Sequence, residues 1–145
     1  MIALIQRVNW AQVHIDGTLH ADIGQGLLAL IGIEKDDDDK LAQKLLDKIL
    51  AYRIFADADG KMNLDLKDFG GELMLVSQFT LAAETHKGLR PGFSSAKPPG
   101  EAEVIYDKLE QAARKQYEFV QSGKFGADMQ VSLENDGPVT FILKV

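Results

Sequence analysis

Asn135-Asp136-Gly137-Pro138-Val139-Thr140 lies between two segments that alternate apolar and polar residues. Met129, Val131 and Leu133 set the period on one side, and Val139, Phe141, Leu143 and Val145 continue it on the other. Period-two alternation flanking an Asn-Asp-Gly turn predicts an antiparallel hairpin. Placing Leu133 opposite Val139 leaves Asn135-Asp136-Gly137 as a three-residue loop, with Gly137 where a positive φ is wanted. Pro138 has no N–H to give a ladder. Such a tip would hold the Gly137 and Pro138 carbonyls in fixed directions, although ordinary turn chemistry also accounts for it.

The same pattern opens the chain. Met1 to Val8 predicts a strand, and Trp10–Asp16 with Thr18–Ile23 predicts a hairpin around the loop Asp16-Gly17-Thr18. That register sets His14 opposite His20, a pair of exposed strand histidines with no third metal ligand nearby. Gly24 to Ile33 predicts a strand buried on both faces, and Gly24-x-Gly26 lacks the third glycine and the following helix of a dinucleotide fingerprint. The acids Asp36 to Asp39 fit a helix N-terminus, and the i, i+4 rows through Leu41, Leu45 and Ile49 and through Ala42, Leu46, Leu50 and Ile54 predict a helix over 38–54.

Asp57-Ala58-Asp59-Gly60 resembles the start of a calcium loop, but its glycine spacing is wrong, so it predicts a turn before a strand at Met62–Leu66. Asp68-Phe69-Gly70-Gly71 predicts another turn. Glu72 to Leu81 predicts the central buried strand, whose apolar run gives way to Ser77-Gln78-Phe79-Thr80. Polar side chains leading out of a buried strand need partners or face a pocket. Ala82 to Pro99 is a long loop, and a second helix within 100–122 carries Ala102, Ile105, Tyr106, Leu109, Ala113, Phe119 and Val120 as its apolar stripe. The expected architecture is one α+β domain over residues 1–145, a mainly antiparallel, barrel-like sheet core with two helices packed on it.

With 145 residues the chain is long enough for a sizeable core. It has no cysteine, which excludes disulfides and thiolate catalysis. No apolar run approaches the ~18 residues of a membrane span, and no secretory signal is visible, so a cytoplasmic protein without a membrane partner is expected. The net charge of −6 argues against a general nucleic-acid binder and leaves room only for a local basic patch. Lys87, Arg90 and Lys97, with His86, supply one candidate; Arg114, Lys115 and Lys124 supply another.

Chemistry is harder to find. There is no nucleophile elbow, P-loop or zinc-protease motif, and Ser77, Thr80 and Thr140 have no base beside them in sequence. An enzyme with this sequence would work by positioning and backbone donors. A metal-dependent hydrolase using Asp57, Asp59 or the Asp36–Asp39 run is the alternative within enzymes. A non-catalytic module that binds its ligand through the same pocket is the alternative outside them.

Taken together, Ser77-Gln78-Phe79-Thr80 and Asn135-x-Gly137-Pro138-Val139-Thr140 closely resemble the two signatures of the D-aminoacyl-tRNA deacylases of the D-Tyr-tRNA deacylase type. Met1-Ile-Ala-Leu-Ile-Gln-Arg-Val8, Tyr52-Arg-Ile-Phe55, Gly60-Lys-Met-Asn63, Arg90-Pro91-x-Phe93 and Asp128-Met-Gln-Val-Ser-Leu133 agree too, so the resemblance spans essentially the whole chain. It implies hydrolysis of the ester between a D-amino acid and the tRNA 3′ end, and removal of glycine mischarged on tRNA for alanine, with no metal or other cofactor. It implies a homodimer whose active sites lie at the interface. There a cis Gly137–Pro138 peptide, with Val139, enters the partner's pocket and excludes L-side chains. Ser77, Gln78, Phe79 and Thr80 would line that pocket, with backbone N–H groups near Gln78 and Phe79 holding the aminoacyl group. Thr140 matches a threonine once taken as nucleophile in this family; the later view the resemblance carries is that the terminal ribose 2′-OH assists the reaction. Arg7 would brace the Gly-Pro carbonyls, and Lys87, Arg90 and Lys97 are the candidates for tRNA phosphates.

Overall fold

The computed structural model describes residues 1–145. Its sheet is organised on one long strand, β1 (Ile2–Ile15), which is antiparallel to β2 (Thr18–Ile23), β3 (Gly26–Gly32) and β8 (Gln130–Lys144). From β3 the sheet continues in parallel through β6 (Glu72–Ser77) to β7 (Val120–Ser122). β2 curls back toward β6 and β7, which gives the sheet its barrel-like form. Helices α1 (Asp39–Leu50) and α3 (Pro99–Gln116) pack on it, and a small ribbon of β4 (Phe55–Ala56) and β5 (Met62–Leu64) leads into a one-turn helix, α2 (Leu66–Phe69). The fold is thus α+β with a mainly antiparallel barrel-like core, with one helix more than expected.

The continuous apolar runs of β3 and β6 follow from burial on both faces. Leu27, Ala29, Ile31, Leu73 and Leu75 join the cluster shared with the helices. Leu28, Met74 and Val76 point the other way, into a smaller cluster with Val8, Ala11, Val13, Ala21 and Ile23. A strand buried on both sides has no polar face to alternate with.

Several expectations are corrected. The C-terminal hairpin does not form: β8 is one strand that runs the length of β1, from His14↔Gln130 to Ile2↔Lys144. Leu133 lies opposite Ala11, and Leu143 opposite Ala3, so each half of the alternating pattern pairs with β1 and not with the other half. A partner strand of 14 residues outweighs local turn chemistry. The first hairpin has a two-residue turn, Asp16-Gly17, with φ of 51° and 75°. A bulge between Val13 and His14 sets His14 opposite Leu19 rather than His20. Helix α1 stops at Leu50, and Ile54 reaches the core from the segment that follows it. β6 ends at Ser77 and the chain turns into a 3₁₀ segment, Phe79–Ala82. Phe119 and Val120 lie beyond α3, and Val120 opens β7.

The four acids divide their roles. Asp38 caps α1, accepting from Leu41 N–H at 2.9 Å, and Asp39 sits in its first turn. Asp37 instead turns inward, taking the Met1 ammonium and the Glu34 N–H at 2.6 Å each.

Tyr106 fixes α3 to the sheet: its buried hydroxyl donates to Leu75 O at 3.0 Å. Burial, reinforced by Glu110 and Asp107, pushes this phenol far above its ordinary value of 10.0. The folded chain therefore keeps a proton that the unfolded chain releases above about pH 10. Stability falls as pH rises through that window, by up to ~1.4 kcal/mol per unit from this group. Tyr106→Phe is expected to cost ~1 kcal/mol at pH 7, because Leu75 O also accepts from Gly123 N–H. Urea unfolding at pH 7 and 10.5 checks this: the gap between wild type and variant should narrow or invert at the higher pH.

Candidate active site

The second signature sits where β8 leaves the ladder. Asn135 is opposite Val8 and Thr140 opposite Gln6, so Asp136 to Val139 share a gap that Arg7 alone fills on β1. The four residues form an excursion, with Gly137 and Pro138 exposed and Val139 buried. The Gly137–Pro138 peptide is cis, and Gly137 has φ +130°.

Side chains hold the excursion in place of the ladder. Asn135 Oδ1 accepts from Val139 N–H at 2.8 Å, and its Nδ2 donates to Thr140 Oγ1 at 2.7 Å. The first bond fixes which end of the amide is oxygen, so the second must be a donation to the threonine. Arg7 Nε bonds Asp136 O at 3.3 Å and pairs with its carboxylate at 3.1 Å, while Nη1 donates to Ile54 O at 2.8 Å. Arg7 and Asp136 also line a cavity of about 150 Å³ with Gln25 and the stacked rings of Phe55 and Phe69.

The first signature lies elsewhere. Ser77 and Gln78 are half-buried at the end of β6, and Phe79 and Thr80 are exposed at the start of the 3₁₀ segment. Gln78 Nε2 donates to Thr80 Oγ1 at 2.5 Å. The Gln78 N–H donates to Ile31 O at 2.7 Å. The next amides open the 3₁₀ segment, and the first N–H groups of a helical turn have no partner within it. The Phe79 ring stands against Phe93 from the long loop, with centroids 5.1 Å apart.

One chain does not bring the two signatures together. Ser77 is level with Ile31, Ala3 and Leu143, whereas the excursion is level with Arg7 and Leu27. Three inter-strand steps and about four residues of strand separate them, roughly 20 Å along the sheet.

Among the basic residues, Lys87 and Arg90 are exposed. Lys97 is not free to meet a phosphate: its ammonium donates to Lys35 O at 2.7 Å and its side chain is 10% exposed. Arg114 is likewise held, by Glu110, Val120 O and Ser122. His14, His20 and His86 join neither signature, and no three His, Asp or Glu side chains converge as a metal site. Asp57 spends one carboxylate oxygen on the N–H groups of Asp59 and Lys61, as a turn residue does. No helix is long and apolar enough to cross a membrane.

A family model described as D-Tyr-tRNA(Tyr) deacylase matches residues 4–144. The chain belongs to the D-Tyr-tRNA(Tyr) deacylase family. As a member of this deacylase family it is an enzyme, a hydrolase. A relative from Escherichia coli O81 (strain ED1a), named D-aminoacyl-tRNA deacylase, is 55% identical over 145 residues, with all of both chains covered. A solved structure named c-Myc DNA Unwinding Element Binding Protein superposes with a TM-score of 0.96 at 40% identity, over 100% of this chain and 99% of that one. A second, described as a probable eukaryotic D-amino acid tRNA deacylase, gives 0.86 at 16% identity over 99% and 98%, a likeness of fold alone. Arg7 bonds Asp136 and Ile54 O and not the Gly137 or Pro138 carbonyls that the resemblance assigned to it. Asn135 and Asp136, both inside the second signature, are structural partners that sequence alone gave no sign of.

Proposed function

We propose that this chain hydrolyses the ester of D-aminoacyl-tRNA, and of glycine mischarged on tRNA for alanine, releasing free tRNA and the amino acid. The observation that carries the finer reading is the separation of two intact signatures on one chain by roughly 20 Å. A site built from both needs two copies, so the working form is a homodimer. The excursion of one protomer, Gly137, Pro138 and Val139, enters the pocket that Ser77, Gln78, Phe79 and Thr80 line in its partner. Arg7 holds the excursion from behind, and the protein acts as one domain in the cytoplasm.

The chemistry follows from what the residues lack. Water attacks the ester carbonyl, the bond to the ribose oxygen breaks, and that oxygen takes the proton. Neither signature offers a free side-chain base, since Asp136 is paired with Arg7. The ribose 2′-OH of the substrate is the remaining proton carrier close to the ester. The Phe79 and Thr80 amides are placed to stabilise charge on the carbonyl oxygen. The backbone of the excursion selects by shape: it crowds an L-side chain and leaves room for hydrogen or a D-side chain. Lys87 and Arg90 meet phosphates of the 3′ end, a patch small enough for an acidic protein that must release many tRNAs. No metal or other cofactor takes part in this scheme.

Purified protein is expected to hydrolyse D-Tyr-tRNA and leave L-Tyr-tRNA intact; equal rates on the two would sink the proposal. Charged tRNA bound without ester loss would favour a binding module instead, and loss of activity in EDTA would favour a metal enzyme. Thr140→Ala separates the mechanisms. The Thr140 hydroxyl meets an amide donor and no base, so hydrolysis of D-Tyr-tRNA should stay within ~10-fold of wild type. A fall of ~10³-fold or more would restore Thr140 as nucleophile.

A further inference from the structure

We infer that Asn135 is a positioning residue that holds the Gly137–Pro138 excursion in the shape that discriminates, an inference that rests on the deacylase reading above. The four residues from Asp136 to Val139 have one β1 residue to face, so the ladder cannot order them. Arg7 pins the outgoing limb through Asp136, with its own guanidinium anchored on Ile54 O. No side chain of β1 hydrogen-bonds the returning limb. Asn135 does this from inside β8: one planar amide accepts from Val139 N–H and donates to Thr140 Oγ1. The staple thus joins the last paired residue before the excursion to the first one after it.

The residue types fit that task. The site needs an acceptor for a backbone N–H and a second polar atom on the same rigid group, and a side-chain amide supplies both. Pro138 contributes no N–H, which leaves the Val139 N–H as the donor that the returning limb must satisfy. Its partner is a side chain, so the excursion's shape depends on one residue. The Thr140 hydroxyl then serves as the far post of the staple, which gives this threonine a use that involves no reaction.

Asn135→Leu keeps the volume and removes both bonds; Asn135→Asp keeps an acceptor for Val139 N–H and accepts from a rotated Thr140 hydroxyl. Two readouts apply: the ratio of D- to L-Tyr-tRNA hydrolysis, and the exchange rate of the Val139 amide by NMR. Asn135→Leu is expected to lower the ratio ~10-fold or more and to speed Val139 exchange by a similar factor, while Asn135→Asp stays within ~3-fold in both. A folded Asn135→Leu with wild-type ratio and wild-type exchange overturns the staple. If wild type fails to hydrolyse D-Tyr-tRNA, the deacylase reading falls, and Val139 exchange alone decides: unchanged exchange rejects the staple, faster exchange upholds it. Should Asn135→Leu not fold, Asn135→Ala takes its place with the same readouts.

Discussion

Gly137→Ala is expected to reduce the D-to-L discrimination ratio by ~10²-fold or more while leaving the fold in place. An added Cβ would stand 2.6 Å from Val139 Cγ2, 3.1 Å from Val139 N and 3.3 Å from Arg7 Nη2, on a backbone with φ +130°. Neither neighbour yields cheaply. Val139 is buried and its N–H is bound by Asn135, and Arg7 is tied to Ile54 and Asp136. The excursion must therefore move as a unit, and displacement of a positioning group by about 1 Å is enough for a loss of that order. The stability cost stays near ~1–3 kcal/mol, the usual range for a residue forced into such a conformation. Initial rates on both enantiomers, with a thermal melt, test this. A second arm addresses the two-copy site. Equal mixing of Gly137→Ala protomers with protomers inactivated within Ser77–Thr80 rebuilds one intact site in each mixed dimer, about a quarter of all sites. No recovery after subunit exchange would place each site within one chain.

Gly26→Ala should have the largest effect on stability. A Cβ there would lie 1.9 Å from Glu72 O and 2.5 Å from Glu72 N, so no side-chain movement relieves it. The parallel pair β3–β6 would have to part at its first rung, beneath the main core. A loss above ~4 kcal/mol is expected, a large share of the ~5–15 kcal/mol that holds a domain together. The melting temperature should fall by ~10 °C or more, or the protein should fail to accumulate in soluble form. Gly24→Ala is the control. Its Cβ meets only Glu72 Oε1, at 3.7 Å, so its melt should stay within about 3 °C of wild type. Similar melts for the two variants would refute the backbone clash.

The contrast between these two glycines shows what sequence reading reached. Gly24-x-Gly26 reads in sequence as a turn, yet the close passage of β6 over Gly26 depends on a partner 46 positions away. Local periodicity was sufficient for α1, with its Asp38 cap, and for the apolar runs of β3 and β6. It failed where a non-local partner decides. Leu133 packs against the smaller cluster and Val139 belongs to the main one, so the two halves of β8 are placed by β1 separately and not by a shared hairpin face. Phe119 and Val120 continued a helical stripe in sequence while the chain had already left α3 for the sheet. The site was legible only through resemblance. Ser77, Thr80 and Thr140 carry hydroxyls without bases, and spacing alone does not tell backbone chemistry from ordinary turns. The commitment of Lys97 to Lys35 O, and of the Gln78 N–H to Ile31 O, also depends on strands and loops far off in the chain.

The excursion in β8 has one more consequence. Elsewhere in a strand, inserting or deleting a single residue inverts every side chain downstream, because inward and outward positions alternate. Between Asn135 and Thr140 that rule is suspended. Pairing stops at Val8 and resumes at Gln6, with four residues of β8 set against one of β1. The sheet therefore reads β8 as two separately indexed ladders joined by a cassette. Length changes confined to residues 136–139 alter what the protein presents to its substrate and leave the inward face of the terminal segment, Phe141, Leu143 and Val145, in phase.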